Sequence, residues 1–129
     1  MRTGDHREVN IPLGVSEPPC LCIHRTLGPG LLEAVYEACL CHELGLARLE
    51  FVRQFRLPVI YKSFATGCDL RIDVIVEQIP VPEIKSVTQL LPVHEARLLT
   101  YPRVSGMKMG LLLNFNEETM KQGIRRRAL

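Results

Sequence analysis

No run of apolar residues in this 129-residue chain approaches the roughly 20 that a membrane span requires, and the opening residues lack the charged-then-apolar order of a secretory signal. A cytoplasmic protein with no membrane partner is the expectation. Charge of one sign is also missing: sixteen Lys and Arg face fourteen Asp and Glu, for a formal charge of +2. That balance excludes a polyanion-coating protein by composition, so any nucleic-acid role has to come from a local site. There is no internal repeat and no low-complexity stretch. With 47% apolar and 23% charged residues, the chain fits one domain around one core and leaves no room for a second.

The five cysteines, Cys20, Cys22, Cys39, Cys41 and Cys68, leave one unpaired under any intramolecular disulfide scheme, so reduced thiols are expected. Cys20, Cys22, Cys39 and Cys41, with His24 and His42, invite a zinc site but do not follow the Cys-x₂₋₄-Cys spacing of common zinc modules. They read as small buried hydrophobes.

Along the chain, residues 1–19 carry Gly4, Pro12, Gly14, Pro18 and Pro19 and read as a loose segment, leaving 20–129 as the domain. From Leu31 to Leu44, the residues Leu32, Val35, Tyr36, Cys39 and Leu40 recur at helical spacing, with Gly45 placed for a left-handed cap. Residues 49–61 alternate as a strand, or as two joined at Pro58. A turn near Thr66-Gly67 leads to a second strand, Leu70 to Glu77, and then to a third, from about Ile79 to Val87. Period-two geometry puts Val81, Glu83, Lys85 and Val87 of the third on one side. Pro92 opens a helix that Pro102 is expected to end around Tyr101. Met107 to Phe115 reads as a strand covered on both faces. Asn116, Glu117 and Glu118 then look like the start of a last helix ending in Arg125-Arg126-Arg127.

Asp73 and the run Glu83-Ile84-Lys85 carry the chemistry. If the two strands pair as a hairpin, both carboxylates converge at one end of the sheet and form an oxygen-ligand site for a hard divalent cation, Mg²⁺ or Mn²⁺. Lys85 then stands beside that site, able to orient water and to offset charge developing on a phosphate. Glu33, at the edge of the first long helix's apolar stripe, is a candidate third acid. On the later helix His94, Arg97 and Tyr101 share a face and offer donors to a phosphodiester backbone.

The segments Gly30-Leu-Leu-Glu33-Ala-Val-Tyr36, Arg71-Ile-Asp73, Glu83-Ile-Lys85, Pro92-Val-His94-Glu95-Ala and Gly110-Leu-Leu-Leu-Asn-Phe resemble the bacterial GxxExxY proteins, from about Cys22 to Leu129. That family is placed in the PD-(D/E)XK nuclease-like superfamily. The resemblance implies a single α/β domain with a restriction-endonuclease-like αβββαβ core, its mixed central sheet flanked by helices. It also implies divalent-metal cleavage of DNA or RNA. Glu33, Asp73 and Glu83 match the family's acid positions and Lys85 its lysine. A recombination-nuclease branch carries Gln-x-x-x-Tyr on the later helix, where this chain has Arg97 and Tyr101.

Several positions depart from the pattern. Pro80 and Pro82 delete amide donors toward one neighbour and are expected to weaken strand pairing before Glu83. Glu17-Pro18-Pro19 falls where the family has an opening helix. The competing reading is a nuclease-fold module without catalysis that binds nucleic acid or a protein partner, and a weakened sheet edge would also favour a homo-oligomer. Asp73, Glu83 and Lys85 taken singly match any half-buried strand. Glu33 alone matches a first-turn acid, and His94 a cap.

Overall fold

The computed structural model describes residues 18–107 and 109–128. Pro18 and Pro19 start a helix, because the first turn needs no amide hydrogen from them. This helix, α1, spans Pro19–Leu27. Pro19, assigned from sequence to the loose segment, is thus its first residue; 1–17 lie outside the described residues.

Helix α2 spans Glu33–Leu46 and runs through Gly45, which is therefore not its cap. The left-handed position falls to Arg48, φ 59°. Leu49 N–H bonds to the Leu44 carbonyl and Arg48 N–H to that of Gly45, each at 3.0 Å, the paired bonds of a Schellman ending.

Strands β1 (Phe51–Tyr61) and β2 (Phe64–Val76) form one long hairpin. Its turn is Lys62-Ser63, both with positive φ, and not the Thr66-Gly67 pair that the sequence favours. Gly67 instead sits inside β2, near the register shift between Pro58 and Ile60. A second two-residue turn, Glu77-Gln78, again with positive φ at both positions, leads into β3 (Ile79–Val81).

Pro82 then breaks the strand. Strand β3 pairs antiparallel with β2, whereas β4 (Glu83–Lys85) pairs parallel with β5 (Met109–Asn114). The alternation shifts at the break: Val81 and Ile84 both lie in the core, and Glu83 and Lys85 are only partly buried. Val81 therefore does not share a side with Glu83 and Lys85, as an unbroken strand would require. Among the described residues two three-stranded sheets result, β1-β2-β3 and β4-β5-β6. The Asp73 N–H donates to the Pro82 carbonyl at 3.1 Å and carries one rung across the junction.

Helix α3 spans Pro92–Ser105 with Pro102 inside it. The helix does not end at Tyr101, since a proline this close to the C-terminus removes little of the ladder and Gly106 (φ 77°) closes the last turn. Near the end of the chain, α4 is only Met120–Gly123, and Ile124–Ala128 form strand β6 antiparallel to β5. The expected helix ending at Arg127 is thus a strand, which satisfies the backbone groups that β5 would otherwise expose at its edge.

The core gathers Cys20 and Ile23 of α1, Tyr36, Leu40 and Leu44 of α2, Val74 and Val76 of β2, and Leu111, Leu113 and Phe115 at β5. Leu98 of α3 is buried on the side of β5 that Gly110 faces. The result is a single α/β domain with helices on mixed sheets, and among the described residues no helix is long and apolar enough to cross a membrane.

Candidate active site

Where the two sheets part at Pro82, a cleft of about 260 Å³ opens, lined by Glu33, Arg71, Asp73, Glu83, Lys85, Arg97 and Tyr101 together with Pro82 and Ile84. Asp73 comes from β2, and Glu83 and Lys85 from β4. Arg97 and Tyr101 come from α3, one helical turn apart.

Asp73 Oδ2 accepts the Ile84 N–H at 2.8 Å. Burial pushes the Asp73 carboxyl above its ordinary value; the Ile84 bond opposes that shift and the Glu37 charge adds to it. Glu83 is held by two cations: Lys85 Nζ lies 3.3 Å from Oε1 and Arg97 Nη1 3.4 Å from Oε2. The Lys85 contact is outside hydrogen-bonding geometry, so Glu83 Oε1 is a buried oxygen with no hydrogen-bond donor among the described residues.

Tyr101 donates its hydroxyl to the Arg71 carbonyl at 3.1 Å, which fixes α3 to β2 beside Asp73. Its phenol is raised above the usual value, by burial first and then by the charges of Glu83 and Asp73.

Two residues named from sequence, Glu33 and His94, are engaged by backbone N–H groups at the border of this group. Glu33 borders the cleft, but its Oε2 accepts the Ser86 N–H at 3.2 Å. It does not join Asp73 and Glu83 in one ligand cluster, and no group of three or more His, Cys, Asp or Glu side chains placed to hold a metal occurs among the described residues. His94 Nδ1 accepts the Leu91 N–H at 3.1 Å, which closes the first turn of α3, and the ring borders a small adjoining space on the other side of Glu83 and Tyr101, lined also by Pro82, Leu98 and Leu112.

Sequence reasoning missed Glu37 and Gln54. Glu37 lies one turn beyond Glu33 on α2 and accepts from Arg53 Nε at 2.7 Å. Gln54 donates to both Glu37 oxygens, at 3.0 and 2.9 Å, and reaches Asp73 Oδ1 at 3.5 Å. To do so its backbone takes φ 55°, unusual for glutamine within a strand. The i, i+4 spacing from Glu33 was the available signal for Glu37; Gln54 had none.

A divalent cation fits this donor set. Asp73 and Glu83 present hard oxygen atoms, one of them a buried oxygen without a donor, and Mg²⁺ is commonly held by one or two carboxylates with water and phosphate completing its shell. The family model of the PD-(D/E)XK nuclease superfamily matches residues 18–127. The chain belongs to that superfamily. No curated protein and no solved structure matches it. Glu83-Ile84-Lys85 spells the second half of the PD-(D/E)XK signature, and Asp73 follows Ile72 where the signature has proline.

Proposed function

We propose that this PD-(D/E)XK protein is a metal-dependent nuclease of the GxxExxY type, cleaving phosphodiester bonds of DNA or RNA with Mg²⁺ or Mn²⁺. The observation that carries this reading is the convergence of Asp73, Glu83 and Lys85 on one cleft from two strands that diverge at Pro82. Five free cysteines agree with a reducing, cytoplasmic setting.

Asp73 and Glu83 would hold the ion. When bound, it supplies Lewis-acid stabilisation of the phosphate and activation of water. The chain's own groups do the rest. Lys85, with its side chain only 19% exposed, offers an ammonium to the charge that develops on the phosphate. Arg97, on the solvent side of Glu83, is placed to pair with a phosphate oxygen. Tyr101 positions β2 through the Arg71 carbonyl, and Glu33 positions the chain after Lys85 through Ser86 N–H. His94 serves the cap of α3 rather than the substrate.

A module without catalysis is the second reading, and one observation favours it: Lys85 and Arg97 already flank the Glu83 carboxylate that the ion requires. Incubating the protein with single- and double-stranded oligonucleotides, with and without Mn²⁺, separates the two. Cutting that needs Mn²⁺ and is lost in Glu83→Gln and Lys85→Ala is the expected result. Binding without cutting by the wild type would leave only the module.

A further inference from the structure

Two arginines face each other across the hairpin that delivers Asp73. Arg56 of β1 is the ladder partner of Arg71 of β2. Like charges directly opposite in a sheet destabilise it, so this pair is a local cost that the fold alone does not require. Among the described residues Arg56 has no hydrogen-bond or ion-pair partner. Arg71 has only Asp73 Oδ1, at a distant 3.9 Å from Nε, and its side chain remains 64% exposed. Neither is paired with Asp69, two residues outward on the same face of β2.

Position gives the pair its meaning. Arg71 lines the cleft and is two residues from Asp73 on the same face of β2, a step of about 7 Å along a strand. That step is comparable to the spacing of successive phosphates in a nucleic-acid strand. The backbone at Arg71 is anchored by the Tyr101 hydroxyl, so the outward guanidinium starts from a fixed point.

We propose that Arg56 and Arg71 form a clamp for the phosphate adjacent to the one being cleaved, and that they guide the strand from the cleft onto the β1–β2 hairpin. This rests on the nuclease reading above and adds to it the direction in which the substrate runs. A phosphate between the two guanidiniums removes their repulsion and accepts forked hydrogen bonds from both. Such a contact is made equally in ground and transition states, so it governs KM more than kcat.

The test compares wild type with Arg56→Gln and Arg56→Lys on an oligonucleotide with Mn²⁺. In Arg56→Gln, KM is expected to rise about tenfold with kcat nearly unchanged, and the logarithmic salt slope of binding to fall by about 1, one phosphate contact. Arg56→Lys recovers part of the loss. Arg56→Gln should melt at or slightly above the wild-type midpoint, because the like-charge pair is gone. Substrates carrying one neutral methylphosphonate beside the cut locate the contact: at one flanking position the wild type should weaken at least to the level of Arg56→Gln, which itself loses less than the wild type does, because only Arg71 still grips that phosphate. An unchanged KM and salt slope, or additive effects of variant and methylphosphonate, would overturn the clamp while the cutting itself keeps the nuclease reading. A wild type that cuts nothing overturns both.

Discussion

Asp73 turns its carboxylate onto the neighbouring strand, where Oδ2 takes the Ile84 N–H at 2.8 Å, two residues past the Pro82 carbonyl that accepts Asp73's own N–H. One side chain thus closes the gap between the sheets and faces the cleft. Because burial and the Glu37 charge raise its carboxyl above the ordinary 3.8, the folded chain binds this proton more tightly than the unfolded chain. The sign follows from linkage: Asp73's contribution is favourable below that ordinary value and is lost as pH rises through the raised one. Asp73→Asn, which still accepts from Ile84, is expected to melt higher than wild type at pH 7 and to lose that advantage near pH 3. Its cutting should fall by about a hundredfold or more. Thermal melts across pH, beside rate measurements, check both; a lower midpoint at pH 7 would contradict the desolvation argument.

Glu83 is shared between Lys85 and Arg97, and a cation entering the cleft meets both positive charges. Arg97 is half exposed, so its repulsion is worth about 0.5–1 kcal/mol. Arg97→Gln is therefore expected to tighten Mn²⁺ binding by about two- to fivefold, read as a larger rise in melting midpoint at a fixed metal concentration. Binding should also strengthen with pH as the ion displaces the Asp73 proton. A weaker shift in Arg97→Gln would show that the arginine organises the site rather than opposing the ion.

The convergence of Asp73, Glu83 and Lys85 was legible because hairpin logic needs only period-two alternation and a short turn. The reason it holds was not. An unbroken strand would place Val81 beside Glu83, and the break at Pro82 moves the alternation by one, sending Val81 and Ile84 inward together. Pro80 and Pro82 signalled weak pairing, but where the strand changes partners depends on β5, far along the chain. The Lys62-Ser63 turn was hidden because neither residue favours positive φ, and Gly67 drew the assignment instead. Arg125 to Arg127 looked like a helix end, since local charge says nothing about an open edge on β5 waiting for β6. Gln54 was invisible for the same reason: its role exists only when Glu37 and Asp73 are brought to either side of it.

Tyr36 stacks on Phe115 with ring centroids 4.3 Å apart, and its hydroxyl donates to the Gly28 carbonyl at 2.6 Å while accepting from Leu31 N–H at 3.1 Å. It therefore pins the Gly28-Pro29-Gly30 turn just before Glu33. Tyr36→Phe keeps the stack and orphans both backbone groups, one of them beside solvent. A loss of about 1–2 kcal/mol in denaturant unfolding is expected, with rotational freedom returned to the turn. Tyr36→Leu, which also removes the ring, should cost about 1 kcal/mol more. Equal values for the two variants would mean that the stack contributes nothing.

Asn114 is fully buried at the end of β5 and ties down the segment that follows Lys85: Oδ1 accepts Val87 N–H at 3.1 Å and Nδ2 donates to the Val87 carbonyl at 3.0 Å. Gly123 packs directly on its backbone, for a Cβ there would stand 1.9 Å from the Asn114 carbonyl oxygen. Backbone cannot yield as a side chain does, so Gly123→Ala is expected to cost about 3 kcal/mol or more and to displace Asn114 from Val87. Gly110 supplies the control: its added Cβ would press on the tip of the Leu98 side chain at 3.2 Å and rest on the Pro82 ring at an ordinary 3.6 Å. Gly110→Ala should therefore cost about 1 kcal/mol or less, within reach of a rotamer adjustment. Denaturant unfolding of the two variants checks the ranking. If Gly123→Ala were as stable as Gly110→Ala, the contact between the α4 turn and β5 could not be what holds the segment after Lys85 against the cleft.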